Sequence, residues 1–350
     1  MKCFHIVVLP GDGIGADVVA EGVRVLRAVE SKLTNLTFQL AEHPCGAGEY
    51  LKNGDPLPAS TMQACRQSDA ILLGAMGLPN VRWPGGTEMA PQLDLREEME
   101  LYAGVRPIRL YHPAHSPLKV SEGIDLVLYR ENTEGLFASR KNTRPTGATE
   151  VIDSLRVSRR ASERLFRAAF RHAQRRRKHV TLVDKANVLP SMAFFREIFN
   201  EIAAEFPGVC ADHVYVDAAA LYLVQHPQRF DVLVTENMFG DILSDLAAGI
   251  VGGMGMAPSG DIGDHNAVFQ PSHGSAPDIA GKGIANPIAT ILSVAMMLEW
   301  LPSEEARRGA AMVYSAVERF CEDPDRATPD LGGSMTTQQT GEWIAADLMR

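Results

Sequence analysis

Asp241 and Asp245 stand four residues apart in GDILSDLAAGIV, so on a helix both carboxylates leave the same face one turn apart. Two such groups can grip one cation. Neither Cys nor His lies near them in sequence, and an oxygen-only site suits a hard octahedral ion, Mg²⁺ or Mn²⁺, better than zinc. The plainer reading is that Asp241 caps a helix after Gly240 while Asp245 faces solvent. A second dense stretch follows, His273-Gly274-Ser275-Ala276-Pro277-Asp278-Ile279, running on through AGKGIA to Asn286 and Pro287. Its glycines let backbone approach a ligand closely, and its polar groups can orient that ligand.

Three arginines precede these stretches: Arg96 in LDLREEMELYAGVRP, Arg106 in the same run, and Arg130 in DLVLYREN. A guanidinium grips a carboxylate through a planar two-bond fork, so three of them converging would select a di- or tricarboxylate. Taken singly, each reads as a surface or ion-pair residue. Lys185 and Asn187 sit just beyond an apolar run in VTLVDKANVL, and Asp217 interrupts another in VYVDAAALYLV, where an unpaired charge would be costly.

The elements that must carry these groups alternate between strand and helix patterns. Residues 4–9 form a buried-strand run, followed by the turn PGDGIG and a helical pattern through Val18, Val19, Val23, Val25, Leu26 and Val29. The glycines fall at 11, 13 and 15, giving G-x-G-x-G and not the dinucleotide fingerprint G-x-G-x-x-G. Residues 70–74 and 180–183 read as further strands, 60–67 and 158–173 as amphipathic helices, and 289–301 as a helix buried nearly all round. The WPGG at 83–86 marks a loop.

With 350 residues and 45% hydrophobic content the chain is globular, and two domains are expected. The net charge of −9 argues against general nucleic-acid binding. The basic run RHAQRRRKH at 171–179 reads as the solvated C-terminal end of a helix, where cations oppose the macrodipole. Five cysteines without a C-x-x-C pair read as reduced thiols of a cytoplasmic protein. No apolar stretch is long enough for a signal peptide or a membrane span.

Taken together, NMFGDILSD, the HGSAPD loop and the opening PGDGIG closely resemble the metal-dependent β-decarboxylating dehydrogenases of 2-hydroxy acids, the isocitrate/isopropylmalate dehydrogenase family, across essentially the whole chain. Its closest likeness is to the isopropylmalate, homoisocitrate and tartrate dehydrogenases. The resemblance implies two α/β domains with a cleft between them, not a standard Rossmann fold. The larger, cofactor-binding domain would be discontinuous, at 1–99 and 252–350, with the dimer-forming domain at 100–251 inserted. It also implies NAD as cofactor, with His273, Gly274, Ser275, Ala276, Asp278, Ile279 and Asn286 around its adenosine part. A carboxylate at Asp278 accepts hydrogen bonds from a ribose 2′-OH but repels a 2′-phosphate, favouring NAD⁺ over NADP⁺.

By the same resemblance, Asp217, Asp241 and Asp245 would hold Mg²⁺ or Mn²⁺, and Arg96, Arg106, Arg130 and Asn187 the substrate. Lys185 would take the proton of the reacting hydroxyl. Lys185 and Asp217 would reach the neighbouring subunit's site, making a homodimer a requirement of the chemistry. One position departs from the pattern: where the family places a proton-donating tyrosine, in R-E-x-T-x-G-x-Y, this chain has Phe137. Tyr129 is a poor substitute, since on a continued strand it points away from Arg130; water or Lys185 are better candidates. Leu93 and Met89 suit an apolar pocket, as for an isopropyl group, although Gln92 and Asp94 make it less apolar. The expected reaction is oxidative decarboxylation of 3-isopropylmalate or a related alkylmalate; D-malate, tartrate and isocitrate are alternative substrates. A non-catalytic regulatory subunit of a heteromeric dehydrogenase is the competing reading, favoured by Phe137 and opposed by the retained lysine, aspartates and arginines.

Overall fold

The apolar run at the N-terminus lies in strand β1 (Lys2–Gly11), and the helical pattern after it in α1 (Gly15–Lys32). The chain, described by a computed structural model over residues 2–119, 123–142 and 147–350, continues as β2 (Leu36–Glu42), α2 (Ala47–Asn53), α3 (Ala59–Gln67), β3 (Ala70–Ala75) and α4 (Pro91–Glu98). Then come β4 (Ala103–Arg109), β5 (Asp125–Glu131), α5 (Arg159–Ala173), β6 (His179–Asp184), α6 (Pro190–Ala203), β7 (Cys210–Tyr215), α7 (Val216–Gln225), β8 (Val232–Thr235) and α8 (Asn237–Gly249). The last part holds β9 (Pro258–Ile262), β10 (Ala267–Pro271), α9 (Ile288–Trp300), α10 (Glu304–Cys321) and α11 (Thr337–Leu348).

The strands join in one sheet in the order β2-β1-β3-β10-β9-β4-β5-β8-β6-β7. Both flanks are parallel, but β10, β9, β4 and β5 run antiparallel to one another in the middle. This is where chain segments far apart in sequence meet: Gly104 of β4 lies between Asp261 of β9 and Arg130 of β5. Strand β3 is buried along its whole length, as befits a parallel strand covered on both faces. Helix α9, buried nearly all round, packs on β9 and β10 and is enclosed by α1 and α10. On the other flank Phe166 and Phe170 of α5 meet Phe195 and Phe199 of α6, with ring centroids 4.6 to 5.4 Å apart.

The PGDGIG turn is structural: a Cβ on Gly11 (φ +74°) would sit 1.9 Å from the Ala75 carbonyl oxygen, and one on Gly13 (φ +57°) 1.9 Å from that of Ser275. Asp12 accepts from the backbone N–H groups of Ala47, Gly48 and Gly77 at 2.7 to 2.8 Å, so it braces the turn. The basic run at 171–179 is not simply a solvated helix end. Helix α5 stops at Ala173, and Arg176 donates to buried Asp231 and to Asp125, each at 2.8 Å. Arg177 ties down the Phe230 carbonyl at 2.5 Å. Among the described residues all five cysteines are free thiols, and no helix is long and apolar enough to cross a membrane.

Candidate active site

The three arginines converge. Arg96 projects from α4, Arg106 from β4 and Arg130 from β5, and all line one cavity of about 250 Å³ with Gln92, Leu93, Phe137, Asp241, Ser244, Asp245, His273 and Gly274. Arg96 and Arg106 are held from behind by Asp261 on β9, which the sequence reading did not single out. Its carboxylate accepts from Arg96 Nε at 2.9 Å, Asn132 Nδ2 at 2.8 Å and Gln270 Nε2 at 2.7 Å, and lies 3.8 Å from Arg106 Nη2. Burial alone would raise the Asp261 carboxyl, but the charges of Arg96 and Arg106 and the bonds it accepts leave it below the usual carboxylate range. Gly104, opposite Asp261 in the register, leaves the space Asn132 needs: a Cβ there would meet Asn132 Oδ1 at 2.7 Å.

Asp261 leaves Arg106 only partly satisfied. Burial, reinforced by Arg96, brings Arg130 down to about 10, and burial also lowers Arg106. Arg106 Nε and Nη1 are buried with no protein partner. This wall of the cavity therefore presents unfilled guanidinium donors, the complement of a carboxylate.

Helix α8 forms the facing wall. Glu236 caps it, accepting from Phe239 N at 2.5 Å, so Asp241 is not the cap and both aspartates are free to face the cavity. Asp245 is raised first by burial and then by the neighbouring Asp241 charge. Asp241 and Asn237 both accept from Arg130. Gly240 allows the arginine to lie along the helix, since a Cβ would come within 2.7 Å of Arg130 Cγ. Phe137, on a short 3-10 turn (Leu136–Ser139), places its ring 5.1 Å from Arg130 Cζ. Tyr129 points away, with its hydroxyl 2.9 Å from His172 Nδ1.

The HGSAPD loop reaches the cavity through His273 and Gly274 only. Ser275 is used internally: its hydroxyl donates to the Gly77 carbonyl at 2.5 Å and its own carbonyl accepts from Ile14 N at 2.8 Å. Ala276 takes a positive φ of 35°, turning the loop. Ile279 packs with Ile14, Val18 and Ala285, leaving Asp278 exposed beside it. Asn286 accepts from Ile288 N at 3.0 Å and donates to Asp330 at 3.1 Å. His273 Nε2 is buried without a partner, and burial lowers the imidazole.

Lys185, Asn187 and Asp217 do not line this cavity. Lys185 donates to Asp217 at 2.8 Å, and that bond is the first cause of the lowered Asp217 carboxyl. Asp217 is no buried charge, as its place in an apolar run implied; it is exposed in the first turn of α7. Among the described residues no group of three or more His, Cys, Asp or Glu comes together to hold a metal. Leu93 and Gln92 line the wall next to Arg96, while Met89 is buried and does not line the cavity.

The family model for isocitrate/isopropylmalate dehydrogenase matches residues 5–346. The 3-isopropylmalate dehydrogenase of Moorella thermoacetica is 46% identical over 339 residues, covering 94% of this chain and 93% of its own. That of Thermotoga maritima is 43% identical, with 98% of each covered. Among solved structures, isocitrate dehydrogenase from Methylococcus capsulatus superposes with a TM-score of 0.89 at 38% identity, covering 99% of this chain and all of that one. With its matches running from end to end, the chain belongs to the isocitrate/isopropylmalate dehydrogenase family.

Proposed function

We propose that this chain carries out NAD⁺-dependent, Mg²⁺- or Mn²⁺-dependent oxidative decarboxylation of 3-isopropylmalate or a related 3-alkylmalate, as a cytoplasmic homodimer. The observation that carries the reading is the arginine cluster with two unpartnered Arg106 nitrogens, walled by Leu93 on one side and by Asp241 and Asp245 on the other. The relatives named 3-isopropylmalate dehydrogenase support it. The division into 1–99 with 252–350 and an inserted 100–251 follows the chain's departure at β4 and return at β9.

The residues present fit both absent groups. Asp241 and Asp245, one turn apart with Asp245 raised, would hold a divalent cation, joined by Asp217 of the partner subunit. Exposed Leu221, Val224 and Ile242 on α7 and α8 offer an apolar face through which that partner could approach. His273, Gly274, Ser275, Ala276, Ile279 and Asn286 would hold the adenosine of NAD⁺, with exposed Asp278 at its ribose. When bound, NAD⁺ accepts hydride and the cation draws electron density from the hydroxyl and from the enolate left by CO₂.

The chain's own groups do the rest. Arg96, Arg106 and Arg130 bind and orient the two carboxylates, fixing C2 for oxidation. Lys185, from the partner subunit, takes the hydroxyl proton, and Asn187 beside it completes the substrate contacts. Loss of CO₂ from the 3-carboxy-2-ketone leaves an enolate that needs a proton at C3. Phe137 has none to give, so water or Lys185 supplies it.

A second reading, a substrate with a polar C3 group such as isocitrate or tartrate, is favoured by Gln92, whose Oε1 is buried without a partner beside Leu93. The test is to supply NAD⁺ and Mn²⁺ with each of 3-isopropylmalate, isocitrate, D-malate and tartrate, following NADH and CO₂ together. Equal amounts from 3-isopropylmalate support the reading. Turnover of isocitrate or tartrate alone selects the second, and no product from any acid points to a regulatory subunit.

A further inference from the structure

The two walls of the cavity that carry Leu93 and Phe137 belong to segments far apart in sequence, α4 and the 3-10 turn (Leu136–Ser139). Four charges connect them. Arg140, directly after the turn, donates through Nη2 to Asp94 Oδ1 at 2.8 Å, to Glu97 Oε2 at 2.5 Å and to the Leu93 carbonyl at 3.4 Å. Lys141 Nζ donates to Glu97 Oε2 at 2.8 Å and lies 3.6 Å from Asp94 Oδ1. Asp94 and Glu97 are three residues apart on α4, so both face the turn, while Gln92, Leu93 and Arg96 of the same helix face the cavity. The turn is anchored on its other side, where Ser139 and Ser154 exchange bonds of 3.1 and 3.0 Å. Arg140 is thus one residue from that anchor, three from the Phe137 ring and bonded to the backbone of Leu93.

We propose that Arg140, backed by Lys141, is a positioning residue: with Asp94 and Glu97 it forms an ionic latch that sets the gap between Leu93 and Phe137, and so the affinity for the substrate's C3 side group. The proposal rests on the reading of the cavity as the substrate site. Arg140 touches no reacting atom, so its influence belongs in binding and not in the chemical step. Glu97 is lowered, first by the Lys141 bond and also by Arg140, in keeping with a latch formed of charged partners. Its acids are part-exposed, so salt weakens it.

Arg140→Ala is expected to raise KM for the preferred hydroxy acid about threefold to tenfold, the weight of a small part-exposed ion-pair network, with kcat within about twofold. Arg140→Lys, which keeps one charge, restores most of the affinity. In the ligand-free protein, amide hydrogen exchange of residues 92–98 and 136–142 speeds up in Arg140→Ala, and in the wild type at high salt, while the rest of the chain and the melting temperature stay put. Unchanged exchange in both segments, or a fall in kcat with KM unchanged, overturns the proposal. Should the wild type turn over none of the acids, the substrate reading fails while the exchange measurement still decides whether the latch exists.

Discussion

Asp261 is the counter-charge on which the site is built, and its removal has a calculable cost. In Asp261→Ala, Arg96 loses its partner at 2.9 Å, Arg106 its nearest opposite charge behind the cavity, and Asn132 and Gln270 an acceptor each, at a position 1% exposed. Breaking a buried ion pair from one side costs about 3–5 kcal/mol, a large share of the 5–15 kcal/mol that roughly bounds a folded domain. Asp261→Asn keeps the acceptor and drops the charge, so about 2 kcal/mol is expected, the scale of a hydrogen bond to a charged group. Urea unfolding at pH 7 reads both values, provided the slope m is unchanged. Because the folded Asp261 carboxyl is depressed, its stabilisation is complete above the unfolded carboxyl value of about 3.9. It is lost as pH falls through the lower folded value. The gap between wild type and Asp261→Asn should therefore hold constant from neutral pH down to about 5 and narrow below about 4. A loss below about 1 kcal/mol in Asp261→Ala, within reach of an ordinary single hydrogen bond, or a gap that persists undiminished in acid, would refute the reasoning.

Arg106 matters less to stability: two of its nitrogens are buried without partners and Asp261 keeps Arg96, so Arg106→Met should cost less than the roughly 3–5 kcal/mol of a buried pair broken from one side. The same variant should weaken substrate binding about 10- to 100-fold through the lost charge-assisted bonds, read as KM beside a urea titration. Phe137→Tyr should raise coupled NADH and CO₂ formation, up to about 10²- to 10⁴-fold if proton delivery limits the rate; an unchanged CO₂ yield would mean the hydroxyl is not needed. Lys185→Ala and Asp241→Asn, each inactive alone, should recover about a quarter of wild-type activity when their subunits are mixed and exchanged, since shared sites leave one intact per hybrid dimer. No recovery despite subunit exchange would place Lys185 in its own chain's site.

Local spacing made some of this legible. The D-x-x-x-D pair fell on a helix face because helical period is a local property, and the all-round apolar 289–301 stretch gave α9 for the same reason. The convergence of Arg96, Arg106 and Arg130 was readable only through resemblance, because it depends on the β9-β4-β5 pairing, which no local pattern specifies. Asp261 went unnoticed in PSGDIGDHN, where nothing local sets it apart from Asp264; its burial comes from the pairing of β9 with β4 and β10. Arg176 read as solvated because its partners Asp125 and Asp231 lie more than fifty residues away. Arg140 and Lys141 drew no attention for the same reason, their acids belonging to a helix that precedes them by two strands.

The antiparallel seam at the middle of the sheet also orders the birth of the molecule. As the chain is synthesised, β4 and β5 emerge long before β9, and Arg96 waits 165 positions for Asp261. Until then β4 has an open edge, a template for wrong partners, and three arginines collect around no buried carboxylate. Contacts so distant in sequence form late and slowly. The closing of the seam is what sets Asp261 behind Arg96 and Arg106, so dicarboxylate binding by a refolding chain would report that β9 has docked.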